Sequence, residues 1–138
     1  MNGIKDTFWA WLAGFIDGEG YIVLHKSKNP RYKTGIHWLP RIVIANNSKS
    51  TLEFIMQTVG KGTIYSMNKS RSHWQLHFTS AQLRESVLSN ILPYLVTKHR
   101  EAELLQDACN IISKRTRSST LTELRLETIQ GEILQCRK

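Results

Sequence analysis

Asp17 and Glu19 stand in the tetrapeptide Asp17-Gly18-Glu19-Gly20, directly after Phe8–Ile16, a run without a polar residue. If that run is a helix, both acids fall where the helix dipole is negative. Carboxylates are disfavoured there by about 0.3–1 kcal/mol each, so each needs a partner. Asp17 is expected to bond backbone amides of its neighbour's helix or of the following turn. Glu19, held between two glycines just beyond the helix, has the chemistry of a ligand for a hard cation such as Mg2+, with the Gly18 carbonyl as another oxygen ligand. Two such acids brought close together would repel unless cations lay between them. Paired acids and divalent ions facing phosphates are the arrangement for two-metal phosphodiester hydrolysis. As a plain turn residue Glu19 would do no chemistry, and the residues alone leave both readings open.

The helix that carries the acids has its own requirement. A cap at Asp6-Thr7 and the glycines at 18 and 20 predict a helix ending near Asp17. Apolar on every side, it must be covered on every side. A two-fold copy of itself is the economical cover. Ala10, Gly14 and Gly18 recur every four residues, which lets two backbones approach closely. The alternative is a core helix buried within a monomer.

The remaining punctuation predicts strands at Tyr21–Asn29 and Ile36–Asn46, joined by a loop with Arg31, Tyr32, Lys33 and Gly35. Ser50-Thr51-Leu52-Glu53 reads as a capping box for a helix to Val59, stopped at Gly60-Lys61-Gly62. A second strand pair, Thr63–Asn68 and His73–Thr79, flanks the turn Lys69-Ser70-Arg71-Ser72. Ser80 is expected to cap a helix to Leu92, followed by a break at Pro93 and a helix over Lys98–Lys114. A basic loop, Lys114–Ser119, leads to a second capping box at Thr120–Glu123 and a last helix. This order predicts an α+β fold, an antiparallel sheet with its helices on one face.

The free sheet face then follows from alternation. Val23, His25, Ser27 and Asn29 oppose Ile22 and Leu24; His73, Gln75 and His77 oppose Trp74, Leu76 and Phe78; Tyr65 and Met67 oppose Ile64. With His37 and Arg41 of the second strand, these side chains suit base edges, while Arg31, Lys33, Lys69 and Arg71 suit phosphates. From Gly20 to Arg84 there are ten Lys or Arg and one acid, Glu53, a one-sided mixture that favours a phosphate-binding face over an ordinary solvated one.

The 138 residues and a net charge of +8 fit one compact basic domain with a polyanionic partner. Cys109 and Cys136 make no disulfide framework and read as reduced thiols. No charged-then-apolar leader opens the chain, and Phe8–Ile16 is too short to span a bilayer. An intracellular protein without a membrane partner is expected; archaeal cytoplasm, organelle and nucleus are not distinguished.

The nonapeptide Leu12-Ala13-Gly14-Phe15-Ile16-Asp17-Gly18-Glu19-Gly20 closely resembles the signature of the LAGLIDADG homing endonucleases. Phe15 stands at a Leu position, Gly18 at a small-residue position, and Glu19 where the family's metal-binding acid is usually Asp. The resemblance covers most of the chain, since αββαββα is the family's core plan, with a saddle-shaped sheet facing DNA. It implies a single endonuclease domain over residues 1–138. A single motif copy implies a homodimer on a long, near-palindromic double-stranded DNA target, cut with a short 3′ overhang. It also implies Lys98 as a basic residue near the metals, Asn46 as the residue that positions water, and Lys49 as a further basic contributor. Asp17, Gly14 and Ala10 take structural places on the dimer helix. Mg2+ is the implied cofactor, with Mn2+ expected to substitute and Ca2+ to bind without supporting cleavage. The rivals are an RNA maturase acting on its own intron RNA or a non-cleaving DNA-binding protein on the same fold, and an unrelated basic module that dimerises through Phe8–Ile16.

Overall fold

Alternating apolar residues in four stretches build one antiparallel sheet. In the computed structural model these are β1 (Gly20–Lys28), β2 (Ile36–Asn46), β3 (Thr63–Ser66) and β4 (Trp74–Phe78). They lie in the order β1-β2-β4-β3. The register Gly20↔Ile44↔Leu76↔Ile64 runs across all four. Ile22, Leu24, Trp38, Ile42, Ile44, Leu76 and Phe78 share one face and are at most 1% exposed. The structure describes residues 3–32, 35–67, 72–114 and 120–137; Lys33, Lys69, Arg71 and residues 115–119 of the basic loop lie outside the described residues.

Helices cover that apolar face, giving the expected α+β plan. They are α1 (Asp6–Glu19), α2 (Lys49–Val59), α3 (80–91), α4 (His99–Lys114) and α5 (Thr120–Gln135). Each turns a stripe spaced by three or four residues to the sheet, as with Trp9, Leu12, Ala13 and Ile16 of α1 and Leu126, Ile129 and Ile133 of α5. Each fully buried Leu or Ile contributes roughly 1.5–3 kcal/mol. A π turn over Leu83–Val87 interrupts α3, and Pro93 sits in a 3-10 turn at Leu92–Tyr94. No described helix is long and apolar enough to cross a membrane.

Helix ends differ from the sequence expectation in instructive ways. Lys5, not Asp6-Thr7, occupies the cap position of α1, without a side-chain cap bond. The helix also runs through Gly18, so Glu19 is its last residue and not a turn residue beyond it. Gly18 is exposed and costs the helix only its intrinsic propensity, which packing of Ile16 overrides. Ser48, not Ser50, caps α2, its Oγ accepting from the Thr51 amide at 3.3 Å. Thr79, not Ser80, caps α3 in a capping box with Gln82. In both cases the cap is the residue still in extended conformation. At the opposite end of α2, Gly60 takes the left-handed conformation (φ 81°).

α5 lies against the free edge of β1. Gln130 Nε2 donates to the Leu24 carbonyl at 2.9 Å, and Arg137 donates to the Ile22 carbonyl. Lys26 pairs with Glu127, and the Trp38 indole donates to Glu123. The Gln130 and Arg137 side chains occupy backbone groups that an edge strand would otherwise present to another chain.

Candidate functional site

One corner of the molecule collects the C-terminus of α1, the end of β2, the N-terminus of α2, the start of β4 and the segment before α4. Glu19 is exposed there, and its Oε1 accepts from Asn46 Nδ2 at 3.3 Å. Asn46 Oδ1 in turn accepts from the Ser48 amide at 2.8 Å, which fixes the side chain and holds Ser48 in its capping position. Lys49 is the first residue of α2. Its ammonium lies 4.7 Å from the Trp74 ring centroid and 4.0 Å from Glu53.

Within one chain Asp17 accepts from the segment before α4 and not from the turn that follows it. Its Oδ2 accepts from the Val96 amide at 2.8 Å and its Oδ1 from the Lys98 amide at 2.9 Å. These amides immediately precede α4, whose positive dipole end offsets the penalty for an acid at the end of α1. The partners are 79 and 81 residues away in sequence, so no local pattern announces them. Lys98 Nζ donates to the Asp17 carbonyl at 2.7 Å, a cation placed on a helix C-terminus. The structure thus brings Glu19, Gly18, Asn46, Lys49 and Lys98 into one corner. Gly18 lies in the last turn of α1, where carbonyls lack an intrahelical amide.

Gly14 and Gly18 lie on the outer side of α1; a Cβ built on either meets nothing within 4 Å in the single chain. Ala10 is half-buried, and Trp11 is 42% exposed. The side of α1 that carries Gly14 and Gly18 therefore has no cover among the described residues of one chain, while Phe8 and Trp11 pack on Phe54.

The sheet face away from the helices carries Tyr21, Val23, His25 and Ser27 from β1, His37, Leu39, Arg41, Val43 and Ala45 from β2, and Gln75 and His77 from β4. Cross-strand pairing sets Ser27 beside His37, Val23 beside Arg41, and Val43 beside both Tyr21 and His77. Tyr65 and Met67 extend the face and are each 50% exposed. Among the described residues no strand position is acidic. Asn29 lies past the end of β1, where its Oδ1 accepts from the Arg31 amide. Tyr32 stacks on His37 with centroids 4.7 Å apart. His73 lies just before β4, its carbonyl accepting from the Met67 amide. His77 Nε2 is 2.9 Å from Gln75 Oε1, and its ring meets Tyr65 edge-on. Burial and then the Arg41 charge hold the His77 pKa below its ordinary value.

Three residues of the basic stretch turn elsewhere. Lys26 and Lys61 are paired with Glu127 and Glu85, and Arg84 stands on α3. Position 21 and the odd positions of β2 were readable from alternation and belong to the face beside the expected residues. Trp74 had no such signal as a partner of Lys49.

A family model described as LAGLIDADG endonuclease matches residues 12–104. The homing endonuclease I-CvuI, solved with the I-CreI target and Mg with the DNA not cleaved, is 19% identical with a TM-score of 0.85; the match covers 95% of this chain and 83% of that one. The archaeal intron-encoded homing endonuclease I-Vdi141I, complexed with DNA, is 17% identical with a TM-score of 0.85, over 95% and 84%. The LAGLIDADG meganuclease I-CpaMI, bound to uncleaved DNA, is 24% identical with a TM-score of 0.78, over 88% of this chain and 42% of that one. No curated protein matches the chain.

Proposed function

The chain belongs to the LAGLIDADG endonuclease family, and from that premise we propose that it is a homing endonuclease whose homodimer cuts both strands of a long, near-palindromic DNA site. The observation that carries this reading is the exposed Glu19 carboxylate, bonded by Asn46, at the edge of a sheet face without acids. The match covers 42% of I-CpaMI, so that chain is long enough for two such units. With one motif, a second copy supplies the other half, and the bare α1 face is where it packs.

The donors fit a hard divalent cation. Glu19 and the Gly18 carbonyl are oxygen ligands, the set suited to Mg2+. Among the described residues of one chain no three acidic, His or Cys side chains gather, so the rest of the coordination falls to a second copy, to phosphate oxygens and to water. When bound, the ions supply positive charge at the phosphate and acidify water. Asn46 orients the attacking water from its place beside Glu19. Lys98, with Lys49, offsets negative charge as it grows on the phosphate. Asp17 fixes Lys98 by holding its backbone. The sheet face reads base edges, and flanking cations hold the backbone, which makes binding strongly salt-dependent.

The test is a cleavage assay on DNA made by joining the sequences that flank the intron of this reading frame. Wild type and Glu19→Gln are run with Mg2+, and wild type with Ca2+. A discrete double-strand cut by wild type in Mg2+ alone supports the reading, including the role of Glu19. Tight binding without a cut overturns it in favour of a maturase or binding-only role, which intron RNA would then probe.

A further inference from the structure

Lys49 is held in an unusual way for a surface lysine. Its side chain is 48% exposed, with Glu53 at the 4.0 Å limit of an ion pair and the Trp74 ring 4.7 Å away. Trp74 pairs directly with Asn46 across β2 and β4, so its ring and the Asn46 side chain lie on the same side of the sheet. The contacts form a closed loop: Glu19 to Asn46, Asn46 to the Ser48 amide, Ser48 into α2, and Lys49 back over Trp74. The ring is packed against the core, which fixes it.

The chemistry of this cradle differs from that of an ion pair. An aromatic face attracts an ammonium through its quadrupole and accepts no strong hydrogen bond. Glu53, at 4.0 Å, shares the charge but lies beyond hydrogen-bond distance, so the N–H donors of Lys49 stay available. A carboxylate in the same place would occupy them and cancel the charge. We propose that Trp74 is a positioning residue that acts through Lys49, presenting its ammonium at the Asn46 end of β2 with its donors free for a phosphate oxygen of the scissile DNA. This rests on the endonuclease reading above.

The test is a double-mutant cycle on the full chain, read as single-turnover cleavage in Mg2+ with affinity measured separately in Ca2+. Trp74→Leu is expected to slow cleavage about two- to fivefold, the scale of an exposed cation–π contact, with affinity nearly unchanged. Trp74→Phe, which keeps an aromatic face, should restore most of the rate. In a Lys49→Ala background Trp74→Leu should slow the reaction no further. Equal slowing in both backgrounds overturns the proposal while leaving the endonuclease reading intact. A wild type that cuts no DNA overturns both. A second readout needs no cleavage: the ε-methylene protons of Lys49 should be shifted upfield by the ring in the free protein and return on Trp74→Leu. Unshifted protons in wild type would also overturn the proposal.

Discussion

Cys109 is 2% exposed in α4, and burial pushes its thiol up to about 12, against a smaller opposing pull from the Arg84 charge. Cys136 is exposed. In native protein a thiol reagent should titrate Cys136 quickly and Cys109 only on unfolding; fast reaction of both would contradict the packing of α4. His77 gives a second prediction. Burial first, and repulsion from Arg41 second, disfavour its charged form in the folded state. The unfolded chain therefore takes up this proton more readily. The stability owed to the neutral ring is complete above about pH 6.5, the ordinary value, and is lost as pH falls through the lowered one. Urea midpoints should drop between pH 7 and 5 more steeply for wild type than for His77→Gln, and identical slopes would refute this. Outward alternation made His77 readable as a face residue, but its burial depends on Val43, Tyr65 and Gln75 from three strands.

α1 shows what an element can and cannot announce. Its apolar sequence fixed that it needs cover, and the structure leaves the Gly14–Gly18 side bare in one chain. Gly14→Leu should therefore leave the single chain folded, and even favour its helix by up to about 1 kcal/mol. In the proposed dimer the added bulk should weaken association by about tenfold or more. Sedimentation alongside circular dichroism separates the two effects; unchanged association would remove Gly14 from the interface. Cap positions were less legible. Ser48 and Ser50, or Thr79 and Ser80, are chemically equivalent caps, and the choice falls on whichever residue the preceding strand leaves extended.

Across the whole molecule, α5 closes the structure onto β1, although it lies outside the family match. Glu101 is 6% exposed, and its Oε2 lies 3.6 Å from Arg137 Nε. The same guanidinium bonds the Ile22 carbonyl. Removing it leaves a buried carboxylate poorly compensated, so Arg137→Ala should destabilise by about 1–3 kcal/mol. Urea unfolding measures this, and a change below about 0.5 kcal/mol, the surface norm, would show that the latch does not matter. Nothing near Glu101 or Arg137 in sequence suggests the pair.

The sequence by itself determined the periods: an uncovered apolar helix, four alternating strands, a sheet face without acids, and a carboxylate at the end of α1. Those follow from rules reaching one to four residues along the chain, because helix and strand geometry repeats over that distance. Only the tertiary structure decided where α1 ends, that Asp17 holds the segment before α4, and that Lys49 lies over Trp74. It also decided that Lys26 and Lys61 pair with Glu127 and Glu85. Such contacts join residues tens of positions apart, and packing of the whole core, which no local period encodes, selects among chemically equal partners.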